Sequence, residues 1–134
     1  MSQVRRLTAA DIMTEHVVTK GANDDLTGIA AEMQRRNIGS IVIVENRRIV
    51  GILTERDFVR IVEQVGMLLD RNLAKDYMTK PVLTVQSDTP VADIIKLMRE
   101  KHVRHLVVLD KNQKVAGMVS SRDLMKVTMD VLSI

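Results

Sequence analysis

The chain has 134 residues, 46% of them hydrophobic and 28% charged, with 20 basic against 17 acidic side chains. That is an ordinary globular composition, long enough for one domain or for two half-sized units sharing a core, and too short for two comfortable independent domains. The absence of cysteine excludes disulfide scaffolds, thiolate zinc sites, iron–sulfur clusters and cysteine nucleophiles, while a net charge of +3 neither demands nor excludes an anionic partner.

Met1 to Arg6 lead into Thr8-Ala9-Ala10-Asp11 without the apolar core of a signal peptide. The longest purely apolar runs, Ile41 to Val44 and Leu106 to Leu109, fall far below the roughly 20 residues that span a bilayer. A soluble cytoplasmic protein with no membrane contact is the expectation.

An internal repeat organises everything that follows. A shift of 65 residues sets Ala9-Ala10-Asp11-Ile12-Met13-Thr14 on Ala74-Lys75-Asp76-Tyr77-Met78-Thr79, Val17-Val18-Thr19 on Val82-Leu83-Thr84, and Ile29 and Met33 on Ile94 and Met98. One extra residue near Lys111-Asn112 then brings Gly51-Ile52-Leu53-Thr54-Glu55-Arg56-Asp57 onto Gly117-Met118-Val119-Ser120-Ser121-Arg122-Asp123. The boundaries read as an N-terminal extension over 1–8, a first motif over 9–65, a linker over 66–73, a second motif over 74–130 and a tail over 131–134.

In the first copy a short extended piece precedes Leu26, Ile29, Ala30 and Met33, whose spacing predicts an amphipathic helix with Asp24 at its N-cap. Asn37-Ile38-Gly39 supplies the turn chemistry that ends it. The β-branched run Ser40 to Glu45 predicts a buried strand, Asn46-Arg47 a turn and Ile49 to Leu53 the returning strand. Thr54 then caps a second helix carrying Phe58, Val59, Ile61, Val62 and Val65. The second copy repeats the order. Thr89 and Pro90 open a helix with Val91, Ile94, Ile95 and Met98, strands follow over Leu106 to Asp110 and Val115 to Val119, and Ser120 caps a helix with Leu124, Met125, Val127 and Val131. Each copy is therefore β-α-β-β-α, an α/β (α+β) unit too small to bury its own apolar faces. The two copies should pack on each other, and the surplus apolar surface of their second helices predicts a further partner, most simply a second chain on a two-fold axis.

The duplicated pattern, the Asp-φ-Met-Thr head of each copy and the Gly-φ-φ-[Ser/Thr]-x-Arg-Asp tail together resemble the tandem CBS motif pair, often called a Bateman module, over about Ala9 to Met129. The resemblance implies two motifs packed sheet to sheet with pseudo-two-fold symmetry. It also implies a regulatory sensor of adenosyl ligands rather than an enzyme, with AMP, ADP or ATP as the expected ligand and S-adenosylmethionine or NAD as other members of the class. An aspartate one helical turn after a capping hydroxyl can accept hydrogen bonds from both hydroxyls of a ribose diol, and a helix N-terminus beside an arginine favours phosphate.

By analogy with the family each cleft draws on both copies. A primary cleft would combine Thr14, Val17 and Val18 with Arg104, His105, Ser120, Arg122 and Asp123. A weaker second cleft would combine Thr79, Val82 and Leu83 with Ser40, Thr54, Arg56 and Asp57. Arg104-His105 stands in the second copy where the first has Gly39-Ser40, so the Asp123 cleft alone carries the extra cations expected to meet phosphates. Met13 and Met78 are expected to close the cleft walls.

Other readings are weaker. His16, His102 and His105 lack a complementary carboxylate spacing for a metal site. Ser120-Ser121 has no orienting base and acid, and neither a Gly-x-Ser-x-Gly nor a P-loop pattern occurs, so no catalytic set is present. Arg35-Arg36, Arg47-Arg48, Lys111 and Lys114 form small basic patches, but Phe58 and Tyr77 are the only aromatics, too few for base stacking, and nucleic-acid binding is not favoured. The reading is a stand-alone homodimeric module that senses cellular energy through an adenine nucleotide and passes the signal to a separate effector protein. A structural dimerisation or adaptor unit, or a nucleic-acid-binding CBS protein, is the alternative.

Overall fold

The computed structural model describes residues 6–132. Residues 1–5 of the expected N-terminal extension and 133–134 of the expected tail lie outside the described residues. The elements in chain order are α1 (Ala9–Ile12), β1 (Thr19–Gly21), α2 (Leu26–Arg36), β2 (Ser40–Glu45), β3 (Arg48–Thr54) and α3 (Glu55–Val65). A 3-10 turn (Leu69–Arg71) leads to α4 (Ala74–Tyr77), β4 (Thr84–Gln86), α5 (Val91–Lys101), β5 (His105–Leu109), β6 (Val115–Ser120) and α6 (Ser121–Leu132). The β-α-β-β-α order holds in both copies, with a short helix added at each head.

Each copy forms a three-stranded sheet. In one, β1 runs parallel and β3 antiparallel to the central β2; in the other, β4 and β6 flank β5 in the same senses. The central strands are β-branched and buried, as a strand covered on both faces requires.

Two compact units result, and they cut the chain differently from the repeat. One holds the described residues up to Val17 together with those from Leu83 onward; the other holds Val18–Val82. The head of each copy has crossed to the sheet of the other. In the Val18–Val82 unit, Leu26, Ile29, Ile41, Ile43, Leu53 and Ile61 form a core that also takes in Ala74 of α4, fully buried. In the other unit Val85, Ile94, Leu106, Val108 and Val119 take in Ala9 of α1. Burying such a Leu or Ile fully contributes about 1.5–3 kcal/mol. The repeated alanine is small because the head helix must lie close against the core it joins.

Main-chain bonds fix that exchange. Ala74 and Lys75 N–H donate to the Asp24 and Ala22 carbonyls, each at 2.9 Å, and Ala9 and Ala10 N–H donate to those of Thr89 and Ser87 at the same distance. α1 and α4 are four residues each, too short to show a hydrophobic period, and the sequence does not announce them.

The caps of α2 and α5 lie one residue later than their expected places. Asp25, not Asp24, is the N-cap of α2, accepting from Gly28 N–H at 2.7 Å. Asp24 instead closes the preceding turn, accepting from Gly21 N–H at 2.7 Å, and Thr89 does the same for Gln86 N–H at 3.0 Å. Pro90 becomes the N-cap of α5 rather than its first helical residue. The side chains read as caps are spent on turns. β5 also begins and ends one residue earlier than expected, at His105 and Leu109. At their C-termini α2 and α5 end alike, on Asn37 and His102 in the left-handed region with φ of 53° and 55°.

Candidate functional site

The Asp123 site starts at the β6–α6 junction. Ser120 N–H and Oγ–H both donate to Asp123 Oδ2, at 2.8 and 3.1 Å, and Asp123 N–H returns a bond to Ser120 Oγ at 3.3 Å. This reciprocal cap fixes the carboxylate at the helix entrance, half-buried. Thr14 arrives along the edge of β6. Its N–H and carbonyl pair with those of Met118 at 2.8 and 2.9 Å, and its Oγ1 donates to Asp123 Oδ1 at 3.3 Å.

Gly117 makes that approach possible. A Cβ built there would stand 2.7 Å from both the Thr14 carbonyl oxygen and Met13 Sδ. The motif glycine is therefore a contact surface for the head segment, and Met13 covers it while packing against the core of its unit. Arg104 enters at the same corner, its carbonyl accepting from Ser121 N–H at 2.9 Å, and His105 pairs with Ser120 across β5 and β6. Arg104 and Arg122 are exposed and His105 is half-buried. The structure thus brings Thr14, Val17, Arg104, His105, Ser120, Arg122 and Asp123 into one unit. Val18 belongs to the other, where its carbonyl accepts from Val42 N–H at 3.1 Å.

The Asp57 site repeats this plan in the Val18–Val82 unit. Thr54 N–H and Oγ1–H donate to Asp57 Oδ2 at 3.0 and 3.1 Å, and Asp57 N–H donates to Thr54 Oγ1 at 3.2 Å. Thr79 pairs with Ile52 at 2.9 and 3.0 Å through the main chain, and its Oγ1 donates to Asp57 Oδ1 at 2.9 Å. Gly51 lies under Met78 as Gly117 lies under Met13. Buried Ser40 pairs with Thr54 at the place His105 takes opposite Ser120, and the Gly39 carbonyl accepts from Glu55 N–H at 3.0 Å. Ser40, Thr54, Arg56, Asp57, Thr79 and Val82 share this unit; Leu83 belongs to the other, its carbonyl accepting from Val107 N–H at 3.2 Å.

Arg60 was not among the residues picked from sequence. It sits at 3.4 Å from Asp57 Oδ1 and 3.2 Å from the Tyr77 carbonyl. The signal for it is its place three residues after Asp57 on one helix face, the spacing at which side chains meet.

On α2, Glu32 is buried beneath Arg36, Arg35 at 2.5 Å and Lys20 at 3.6 Å. The hydrogen bonds from Arg36 and then Arg35 hold its carboxyl at about 2, below the usual 4.5. Leu97 occupies the equivalent place on α5, so this charged cluster belongs to one unit only.

Chemically both sites hold a fixed carboxylate beside hydroxyls, a set able to hydrogen-bond a polyhydroxyl group. Among the described residues no group of three or more His, Asp or Glu side chains is placed to hold a metal ion. No helix among them is long and apolar enough to cross a membrane.

A family model for the CBS domain matches this chain twice, over residues 9–64 and 74–130. The chain belongs to the CBS-domain family. Its two sheets of three strands with their helices match tandem CBS-pair structures. An uncharacterized protein of Methanopyrus kandleri is 36% identical over 92% of this chain, which spans 64% of that relative's length. A solved CBS-domain structure, NE2398, is 34% identical with a TM-score of 0.81, covering 87% of this chain and 91% of its own. The CBS domain pair of MJ0100, solved in complex with 5′-methylthioadenosine and S-adenosyl-L-methionine, has a TM-score of 0.81 at 24% identity, covering 91% and 95% of the two chains. That likeness is one of fold.

Proposed function

We propose that this CBS pair is a regulatory module without catalysis of its own, binding an adenine nucleotide, AMP or ADP ahead of ATP, at the Asp123 site. The observation that carries the reading is the Asp123 carboxylate. Ser120 fixes one of its oxygens at the α6 entrance, while the other receives a long bond from Thr14, at the corner where Arg104 and His105 enter. A ribose diol on Oδ1 would gain charge-assisted hydrogen bonds, and phosphates would meet the α6 entrance, the Arg104 cation and the His105 imidazole. The adenosyl ligands of the MJ0100 pair support the ligand class. Bound at one of two non-equivalent sites, the nucleotide shifts the module between states by the difference of its affinities for them, and a separate protein reads the change.

Homodimerisation is part of the same proposal. Val59 of α3 and Met125 of α6 are 76% and 64% exposed, and Val62, Met129 and Leu132 extend these apolar faces. Such faces are characteristic of surfaces that another chain covers.

Calorimetric titration of nucleotide-stripped protein with AMP, ADP, ATP, S-adenosylmethionine and NAD tests the reading, alongside Asp123→Ala. Micromolar binding of an adenine nucleotide that the variant loses supports it. Preference for S-adenosylmethionine or NAD would keep the site and replace the ligand. Silence across the panel would overturn the sensor and leave the dimerisation or adaptor role.

A further inference from the structure

The two aspartates differ in what already occupies them. Asp57 Oδ2 accepts two bonds from Thr54, and Oδ1 accepts Thr79 Oγ1 at 2.9 Å and Arg60 Nη2 at 3.4 Å. A carboxylate offers about four lone-pair sites, and these four donors use them. The same Arg60 Nη2 also donates to the Tyr77 carbonyl at 3.2 Å, and Tyr77 in turn donates its hydroxyl to Asn72 Oδ1 at 3.1 Å. In the other unit Lys126 stands where Arg60 does, and Ile12 where Tyr77 does.

We propose that Arg60 is the specificity-determining residue of the Asp57 site: its guanidinium takes the carboxylate acceptor that a ribose diol would need, so a ligand enters only by displacing it. This rests on the reading that the paired aspartates hold the diol of an adenosyl ligand, and it adds why the Asp57 site fills second. The Arg60 side chain is 47% exposed, so its ion pair with Asp57 is of the weak surface kind. The result is a penalty on binding rather than a block. Because the arginine end of the pair is open to solvent, salt screens it.

Adenosine is the probe, since it carries the diol without a phosphate that would itself attract Arg60. Titrations use the full chain carrying Asp123→Ala, so that only the Asp57 site reports, with and without Arg60→Ala. Removing Arg60 is expected to tighten adenosine binding about two- to fivefold. It is also expected to abolish the gain in affinity that high salt gives the protein retaining Arg60, a readout that loss of packing alone would not move. Arg60→Lys, which keeps the charge on a shorter side chain, should fall between and retain the salt response. Unchanged or weaker binding on Arg60→Ala, or the same salt response in both proteins, overturns the proposal. So does failure of both proteins to bind adenosine while the chain with Asp123 intact binds it. Failure of the chain with Asp123 intact to bind any adenosyl ligand sinks the sensor reading instead.

Discussion

Asp57 and Asp123 hold the same place in their units, each reached by a threonine from the head of the other sequence copy, yet the second oxygen of each carboxylate meets different company. At Asp57 it receives Thr79 at 2.9 Å and Arg60; at Asp123 it receives Thr14 at 3.3 Å. Across the sheet, Gly39-Ser40 faces the first site and Arg104-His105 the second. Duplication preserved the frame that positions the carboxylate and let the charge around it diverge. At Asp57 an arginine is tied to the carboxylate, and at Asp123 an arginine and a histidine stand beside the sheet corner.

The strongest way to break that frame is to fill its glycines. Gly117→Ala should destabilise the protein by about 1–3 kcal/mol, because the new methyl group meets the Thr14 carbonyl as well as Met13. At Gly51→Ala the three nearest atoms all belong to the Met78 side chain, which can move aside more readily than backbone, so the cost should be less. Denaturant melts of the two variants would show equal losses if the sites tolerated intrusion equally. Arg104→Ala should then sharpen the contrast in charge, weakening AMP about tenfold while leaving adenosine unchanged in calorimetry, the size of one charge-assisted hydrogen bond. An equal loss for both ligands would mean that Arg104 shapes the site rather than meeting phosphate.

Removing the head hydroxyls gives a smaller effect. Thr79→Val deletes the 2.9 Å bond and should cost about 1 kcal/mol, whereas Thr14→Val deletes a 3.3 Å bond and should cost less. Thermal melts compare them, and a larger loss at Thr14 would reverse the ranking of the two carboxylates.

The smallest contrast lies in acid. Glu32 is held at about 2 against its usual 4.5, so an unfolded chain binds more protons between those values and stability rises with pH there. The Glu32 contribution is complete above about 4.5 and is lost as pH falls toward 2. Glu32→Gln should flatten that part of the acid-side decline, while Leu97→Ala should lower stability without changing its pH slope.

Much of this was legible before any coordinates. Ser40 to Glu45 reads as a strand because its β-branched run lies between turn residues, and Asp57 and Asp123 stand out because their contexts are duplicated. Which sheet a segment joins is a different kind of fact. Val17 and Val18 are adjacent and chemically equal, yet they fall in different units, because the main-chain partners of Thr14 and Val18 lie on different sheets. The caps slipped by one residue for a related reason: Asp24 and Asp25 are both good caps, and the turn at Gly21 claimed the first. Arg60 does not stand out in the sequence because an arginine on an exposed helix face is ordinarily solvated, and its position is fixed by the Tyr77 carbonyl and the Asp57 carboxylate.

The central claim is that the two aspartate sites are unequal and that Asp123 fills first. An amide NMR titration with less than one equivalent of AMP tests it directly. Shifts that begin at Thr14, Ser120, Ser121 and Asp123, with Thr54, Asp57 and Thr79 moving only as AMP is raised further, are the predicted result. Shifts that begin at Thr54 and Asp57, or advance equally at both sites, would contradict it.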